Sequence, residues 1–191
     1  REMGTSTYPV ECLPVVRRVI HTTADFDFAR TMFFSPGVVG TARESLKQGA
    51  NVITDTSMAA AGINKRKLAR HHSQVFCYIG DPDVASEAAS RSATRAVVSM
   101  EKAVREMPDA VFVIGNAPTA LLRLCQLIQQ GKAKPSLVIG VPVGFVNVVE
   151  SKEALLRLPV PRIVAQGRKG GSAVAAAIVN ALLYGMDTDN E

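Results

Sequence analysis

"AVFVIGNAPTALLRLCQLIQQG", residues 110–131, decides the fold class. Its first six residues are a continuous apolar run rich in Val and Ile, the mark of a strand buried on both faces. Asn116 closes the run, and Pro118 follows where a first helical turn tolerates its missing N–H. An amphipathic stretch then reaches Gly131, placed to end a helix, with Pro135 soon after. A buried strand leading straight into a helix is half of a crossover unit, and crossover units build parallel sheets.

Outward from this stretch the strand signal recurs as "ANVITDT" (50–56), "QVFCYIG" (74–80), "SLVIGVPV" (136–143) and "PRIVAQG" (161–167). Between them, 83–107 reads as one long amphipathic helix, and 151–158 and 171–185 as two more. The expectation is an α/β fold: a mainly parallel sheet of about five strands with helices on both faces. Residues 1–49 read as a mostly helical lead-in. No repeat, linker or low-complexity block divides the chain, so 1–191 is expected to form a single domain.

The 22 Lys and Arg against 17 Asp and Glu leave a net charge of +5, which favours an acidic partner. Nucleic acid is a poor candidate: aromatics are only 5% of the chain, Trp is absent, and no basic run is interleaved with rings for bases to stack on. Three cysteines far apart in sequence, Cys12, Cys77 and Cys125, give neither a disulfide framework nor a metal knuckle and suit a reducing cytoplasm. The longest apolar run, 172–186, is too short to span a membrane and carries Asn180 in its middle. Arg1 opens the sequence with no Met before it and no signal-peptide pattern after it, so a start inside a longer protein is expected.

In an open parallel sheet, ligands collect outside the carboxyl ends of the strands. There "GRKGGS" (167–172) combines glycines that admit a ligand to the backbone with amides at a helix start that attract negative charge. Gly170, Gly171, Ser172 and the charged Arg168 are therefore candidate anion contacts, although a plain strand-to-helix turn has the same glycines. Asp55 and Asn116, each closing a strand, either orient a ligand or cap the following helix. Neither a phosphate-binding loop (GxxxxGK[ST]) nor a dinucleotide GxGxxG is present, so no nucleotide cofactor is expected.

Of three histidines, His71 and His72 lie in the basic run "KRKLARHHSQ" and read as solvated, with no ligand set at metal spacing. His21, in "VRRVIHTTADFDF" (16–28), stands near the end of a helix from about Glu11, with Arg17 and Arg18 one turn before it. It is a proton-transfer candidate, because imidazole gives and takes protons near neutral pH. A capping or packing role stays open.

Five strings, "RRVIHTTADFDF", "VITDTSMAAAGI", "IGNAPTAL", "GVPVGFVNVVESKE" and "GRKGGSAVAAAI", occur here in the order and spacing seen in the precorrin-8X methylmutases (precorrin isomerases) of vitamin B12 synthesis, which this chain resembles over nearly its whole length. The resemblance implies a three-layer α/β/α sandwich with a Rossmann-like sheet. It implies an isomerase that moves a methyl group between adjacent ring-C carbons (C-11 to C-12) of precorrin-8X or cobalt-precorrin-8, with no cofactor and no metal ion. Hydrogenobyrinic or cobyrinic acid would be the product, and a homodimer with active sites near the interface the assembly. The family's catalytic histidine falls on His21, and substrate-contacting arginines on Arg18 and Arg95. A serine contact in an amino-terminal R-S-F string falls before this chain's start. A Rossmann-like oxidoreductase lacks its fingerprint here; a non-catalytic tetrapyrrole carrier is the remaining alternative.

Overall fold

The apolar runs place alternate side chains on opposite faces of one sheet. In the computed structural model, which describes residues 8–188, Val111 and Val113 of strand β4 (Val111–Ile114) join one apolar core, while Phe112 and Ile114 join the other. The sheet also contains β1 (Met32–Phe34), β2 (Val52–Thr54), β3 (Val75–Phe76), β5 (Leu137–Gly140) and β6 (Arg162–Ala165). It has six strands in the order β1-β6-β5-β4-β2-β3, parallel throughout except for β1, which pairs antiparallel with β6.

On one face lie α1 (Leu13–Thr23), α3 (Val38–Lys47), α4 (Ser57–Gly62) and α10 (Ser172–Thr188). The other carries α6 (Pro82–Ser90), α7 (Arg95–Glu106), α8 (Pro118–Gln129) and α9 (Val148–Leu156). The short helices α2 (Phe28–Thr31) and α5 (Lys65–Ala69) turn corners. This is the expected three-layer α/β/α sandwich. Among the described residues no helix is long and apolar enough to cross a membrane.

Two details differ from the sequence reading. The lead-in hides β1, because "MFF" is too short to show a period and sits between helices. The stretch 83–107 is two helices rather than one: the chain breaks after Ser90, Ser92 takes a positive φ of 50°, and Thr94 caps the second helix by accepting from the Val97 amide. Asn180 does not interrupt α10. Its side chain accepts from the Asn64 amide and donates to the Gly62 carbonyl, so the polar residue in the apolar helix pins the α4–α5 corner.

α1 lies along α10 in the opposite direction. Arg18 of α1 sits over the Tyr184 ring near the far end of α10, whereas Asp25, just beyond α1, meets Lys169, just before α10. The last turn of α1 therefore points toward the carboxyl edge of the sheet. The proposed amino-terminal substrate contact lies outside the described residues.

Candidate active site at the carboxyl edge of the sheet

The chain passes from β2 to β3 on one side and then returns to place β4 on the other, so the strand order reverses between β2 and β4. Such a reversal opens a crevice at the carboxyl ends of the two strands. Asp55 leaves β2 at this point, only 2% exposed. Its carboxylate accepts from the amides of Gly115 (2.8 Å), Asn116 (2.8 Å) and Ala117 (2.7 Å), which leave β4. Burial pushes the Asp55 pKa up, against the pull of these amides. The cap of α4 is its neighbour Thr56, whose hydroxyl accepts from the Ala59 amide and lies 2.8 Å from the Ser172 hydroxyl. Gly115 allows this convergence, since a Cβ there would press on the backbone of Ser172. Asn116 itself is exposed.

The "GRKGGS" loop is braced from beneath. Lys152 of α9 is 1% exposed, and its ammonium donates to the carbonyls of Gly167 and Lys169, each at 2.8 Å. Burial pulls its pKa down to about 8. Gly170 packs so closely on the Val141 carbonyl that no side chain fits, and the Gly171 amide donates to that same carbonyl at 2.9 Å. One of the loop's expected ligand donors is thus spent within the fold. Arg168 is exposed at the rim. The Lys169 ammonium turns back to Asp25 and Asp27, 2.6 Å from each, which raises its own pKa and holds both carboxyls below their usual range.

That bridge joins the loop to "TTADFDF". α1 ends with Ala24 in the left-handed region, and the Asp27 amide donates to the Asp25 side chain in a tight turn. Apolar side chains crown the same edge: Phe145 is 88% and Val146 77% exposed, with Met58, Val143 and Phe26 also open to solvent. Large apolar side chains gathered on loops mark a surface that meets another molecule.

His21 is exposed on the last turn of α1, and its side chain has no hydrogen-bond partner among the described residues. Arg18, three residues earlier and so a neighbour on the helix surface, is half-buried against Tyr184. Arg95 opens α7 and is exposed. It belongs to the helical layer on the other face of the sheet from Arg18 and His21. His71 and His72 follow α5, the latter exposed with a positive φ of 60°. Among the described residues no three His, Cys, Asp or Glu side chains are grouped to share a metal ion.

Lys152 and Lys169 are the residues that sequence reasoning underused. Lys152 had a signal: Val148, Ser151, Lys152 and Leu155 are all buried, so the lysine stands on the core-facing stripe of α9. Lys169 had none, since its partners lie more than 140 residues away.

The chain is similar to known proteins along its length. The family model described as "CbiC: Precorrin-8X methylmutase" matches residues 1–185. A protein of Priestia megaterium named "Cobalt-precorrin-8 methylmutase" is 46% identical over 95% of this chain and 80% of its own length. One of Pseudomonas aeruginosa named "Precorrin-8X methylmutase" is 38% identical over 95% of this chain and 88% of its own. The crystal structure of the Thermus thermophilus protein, titled a precorrin-8x methyl mutase, superposes with a TM-score of 0.91 at 38% identity, covering 100% of this chain and 93% of that one.

Proposed function

Because the chain belongs to the precorrin-8X methylmutase family, and is thereby an isomerase, we propose that it moves a methyl group between adjacent ring-C carbons of precorrin-8X or its cobalt-containing counterpart, within one domain spanning the chain. The substrate is a flat, largely apolar macrocycle fringed with carboxylates. It asks a protein for an apolar platform, cationic and amide donors around it, and one group able to lend a proton.

The observation that carries this reading is the exposed His21, one turn beyond Arg18 on a helix whose end points to the apolar-crowned edge. As an imidazolium, His21 protonates the conjugated ring system, the methyl leaves one carbon and bonds to its neighbour, and the proton returns as the double bonds shift. No atom is gained or lost, and no electron needs an acceptor outside the substrate. Arg18, Arg95, Arg168, Asn116 and the Gly170 and Ser172 amides hold peripheral carboxylates, the Gly171 amide being spent on the Val141 carbonyl. Asp55 acts behind them, fixing the amides that present Asn116.

The placement of Arg95 in the opposite helical layer from Arg18 and His21 favours a site shared between two copies of the chain. Phe145 and Val146 supply apolar surface for that contact. The three cysteines are unpaired thiols, which suits a reducing cytoplasm.

The test is turnover of precorrin-8X by His21→Ala, with product affinity measured in parallel. A drop of about 10²–10⁴ in kcat with binding retained is expected of a lost acid. Wild-type turnover in the variant removes His21 from the chemistry. A wild-type protein that binds the corrin product but converts no precorrin-8X would be a carrier.

A further inference from the structure

Lys152 is a buried ammonium with no carboxylate bonded to it. It is 1% exposed on α9, and its hydrogen bonds go to backbone, the Gly167 and Lys169 carbonyls at 2.8 Å each. Among the described residues it makes no ion pair; Asp25 and Asp27 meet the Lys169 ammonium instead. A methionine of similar length would fill the same space without the cost of burying a charge, so packing does not account for this lysine. Its pKa of about 8 keeps it an ammonium at neutral pH.

In a planar trans peptide the carbonyl and the amide N–H point in opposite directions. The Gly167 carbonyl shares its peptide group with the Arg168 amide, and the Lys169 carbonyl shares its own with the Gly170 amide. Drawing both carbonyls onto one ammonium therefore turns the Arg168 and Gly170 amides away from Lys152, and neither donates to a partner among the described residues. The neighbouring peptides are fixed as well. The Arg168 carbonyl accepts from the Gly144 amide at 3.3 Å, and the Gly171 amide donates to the Val141 carbonyl at 2.9 Å. Two amides two residues apart on a loop held in this way form a concave donor for an anion. Charge adds to geometry, because an ammonium on a carbonyl polarises the N–H at the other end of the same peptide group.

We propose that Lys152 is a positioning residue for carboxylate binding: by holding the Gly167 and Lys169 carbonyls it presents the Arg168 and Gly170 amides as a paired donor to one peripheral carboxylate of the substrate, whose charge answers the buried ammonium. The inference rests on the polycarboxylate substrate proposed above and adds the Arg168 main chain to its contacts. Arg168 then acts twice, through its amide and through its exposed side chain at the rim.

The experiment follows the backbone amide resonances of isotope-labelled protein during titration with hydrogenobyrinic acid, together with the steady-state kinetics of Lys152→Met. In wild type the Arg168 and Gly170 amide protons should move downfield as product binds, the mark of a new hydrogen bond to an anion. Lys152→Met should lose both shifts and bind product about tenfold more weakly, the worth of one hydrogen bond to a charged group. Its KM should rise by a similar factor while kcat is kept, as expected for binding lost equally from ground and transition states. A lysine that served stability alone would leave KM unchanged and lower only the amount of active protein. Should Lys152→Met fail to fold, the wild-type resonances decide the matter alone. Product bound by wild type with both resonances unmoved, or a wild-type KM in folded Lys152→Met, overturns the positioning role and leaves the functional reading intact. A wild-type protein that binds no corrin overturns the functional reading, and the positioning role with it.

Discussion

The Lys169 ammonium lies 2.6 Å from a carboxylate oxygen of Asp25, 144 residues earlier in the chain. This contact, and its twin to Asp27, tie the glycine loop before α10 to the turn that follows His21. All three side chains face solvent, so the bridge adds little to folding. Its consequence is positional: Lys169→Met should lower kcat/KM about tenfold with an almost unchanged melting temperature, since small misplacements are costly to catalysis. High salt should lower wild-type activity in the same direction and leave the variant less affected. Both carboxyls titrate below their usual range, so acid breaks the bridge only as pH falls through those depressed values, well below neutrality. A variant as active and as salt-sensitive as wild type would show that the bridge is ornamental.

Asp55 should matter to stability first. Replacing it with alanine strands the amides of Gly115, Asn116 and Ala117 around a buried cavity. The expected loss is about 2–4 kcal/mol by urea unfolding. Asp55→Asn keeps one acceptor oxygen and should fall between wild type and Asp55→Ala. Equal stability in all three proteins would mean that water replaces the carboxylate without cost.

Lys152 predicts an unusual pH dependence. Its pKa of about 8 in the fold lies below the roughly 10.4 of an unfolded lysine. Between these values the unfolded chain binds more protons than the native one, so this residue's contribution to stability rises with pH from about 8 to 10.4. Below pH 8 both states hold the proton and the burial cost is present in full. Wild type should therefore gain on Lys152→Met between pH 7.5 and 10 in paired urea titrations. A difference that stays flat or shrinks over that range would contradict the assignment.

If two copies share each site, mixing inactive variants should restore activity. His21→Ala and Arg95→Ala homodimers are each expected to be impaired. Unfolded together and refolded as a mixture, they should recover up to about a quarter of wild-type activity, because half the dimers are mixed and each of those has one intact site. Recovery absent from a mixture shown to contain mixed dimers would place Arg95 and His21 in the same chain's site, or Arg95 outside it.

Much of this molecule is legible locally. The runs at 110–116 and 136–143 read as buried strands because continuous Val and Ile leave no face for water. Pro118 and Gly131 bracket α8 through backbone chemistry that needs no tertiary partner. β1 escaped because three residues define no period, and the break at Ser92 escaped because nothing in the sequence there forces a left-handed residue. The exposed His21 and the half-buried Arg18 occupy the helix positions their spacing assigned.

The sequence by itself determined the layered α/β architecture and its elements, β1 and the break at Ser92 apart, since each follows from hydrophobic period and turn chemistry within a few residues. Only the tertiary structure decided how the polar groups are spent: Asp55 on three amides about 60 residues away, Lys152 on two carbonyls, Lys169 on two acids beyond α1, and Tyr184 between Arg18 and Lys67. A residue's type announces what it can bond, but whether it faces a ligand or a distant stretch of its own backbone is set by chain segments that meet only when the sheet closes around them.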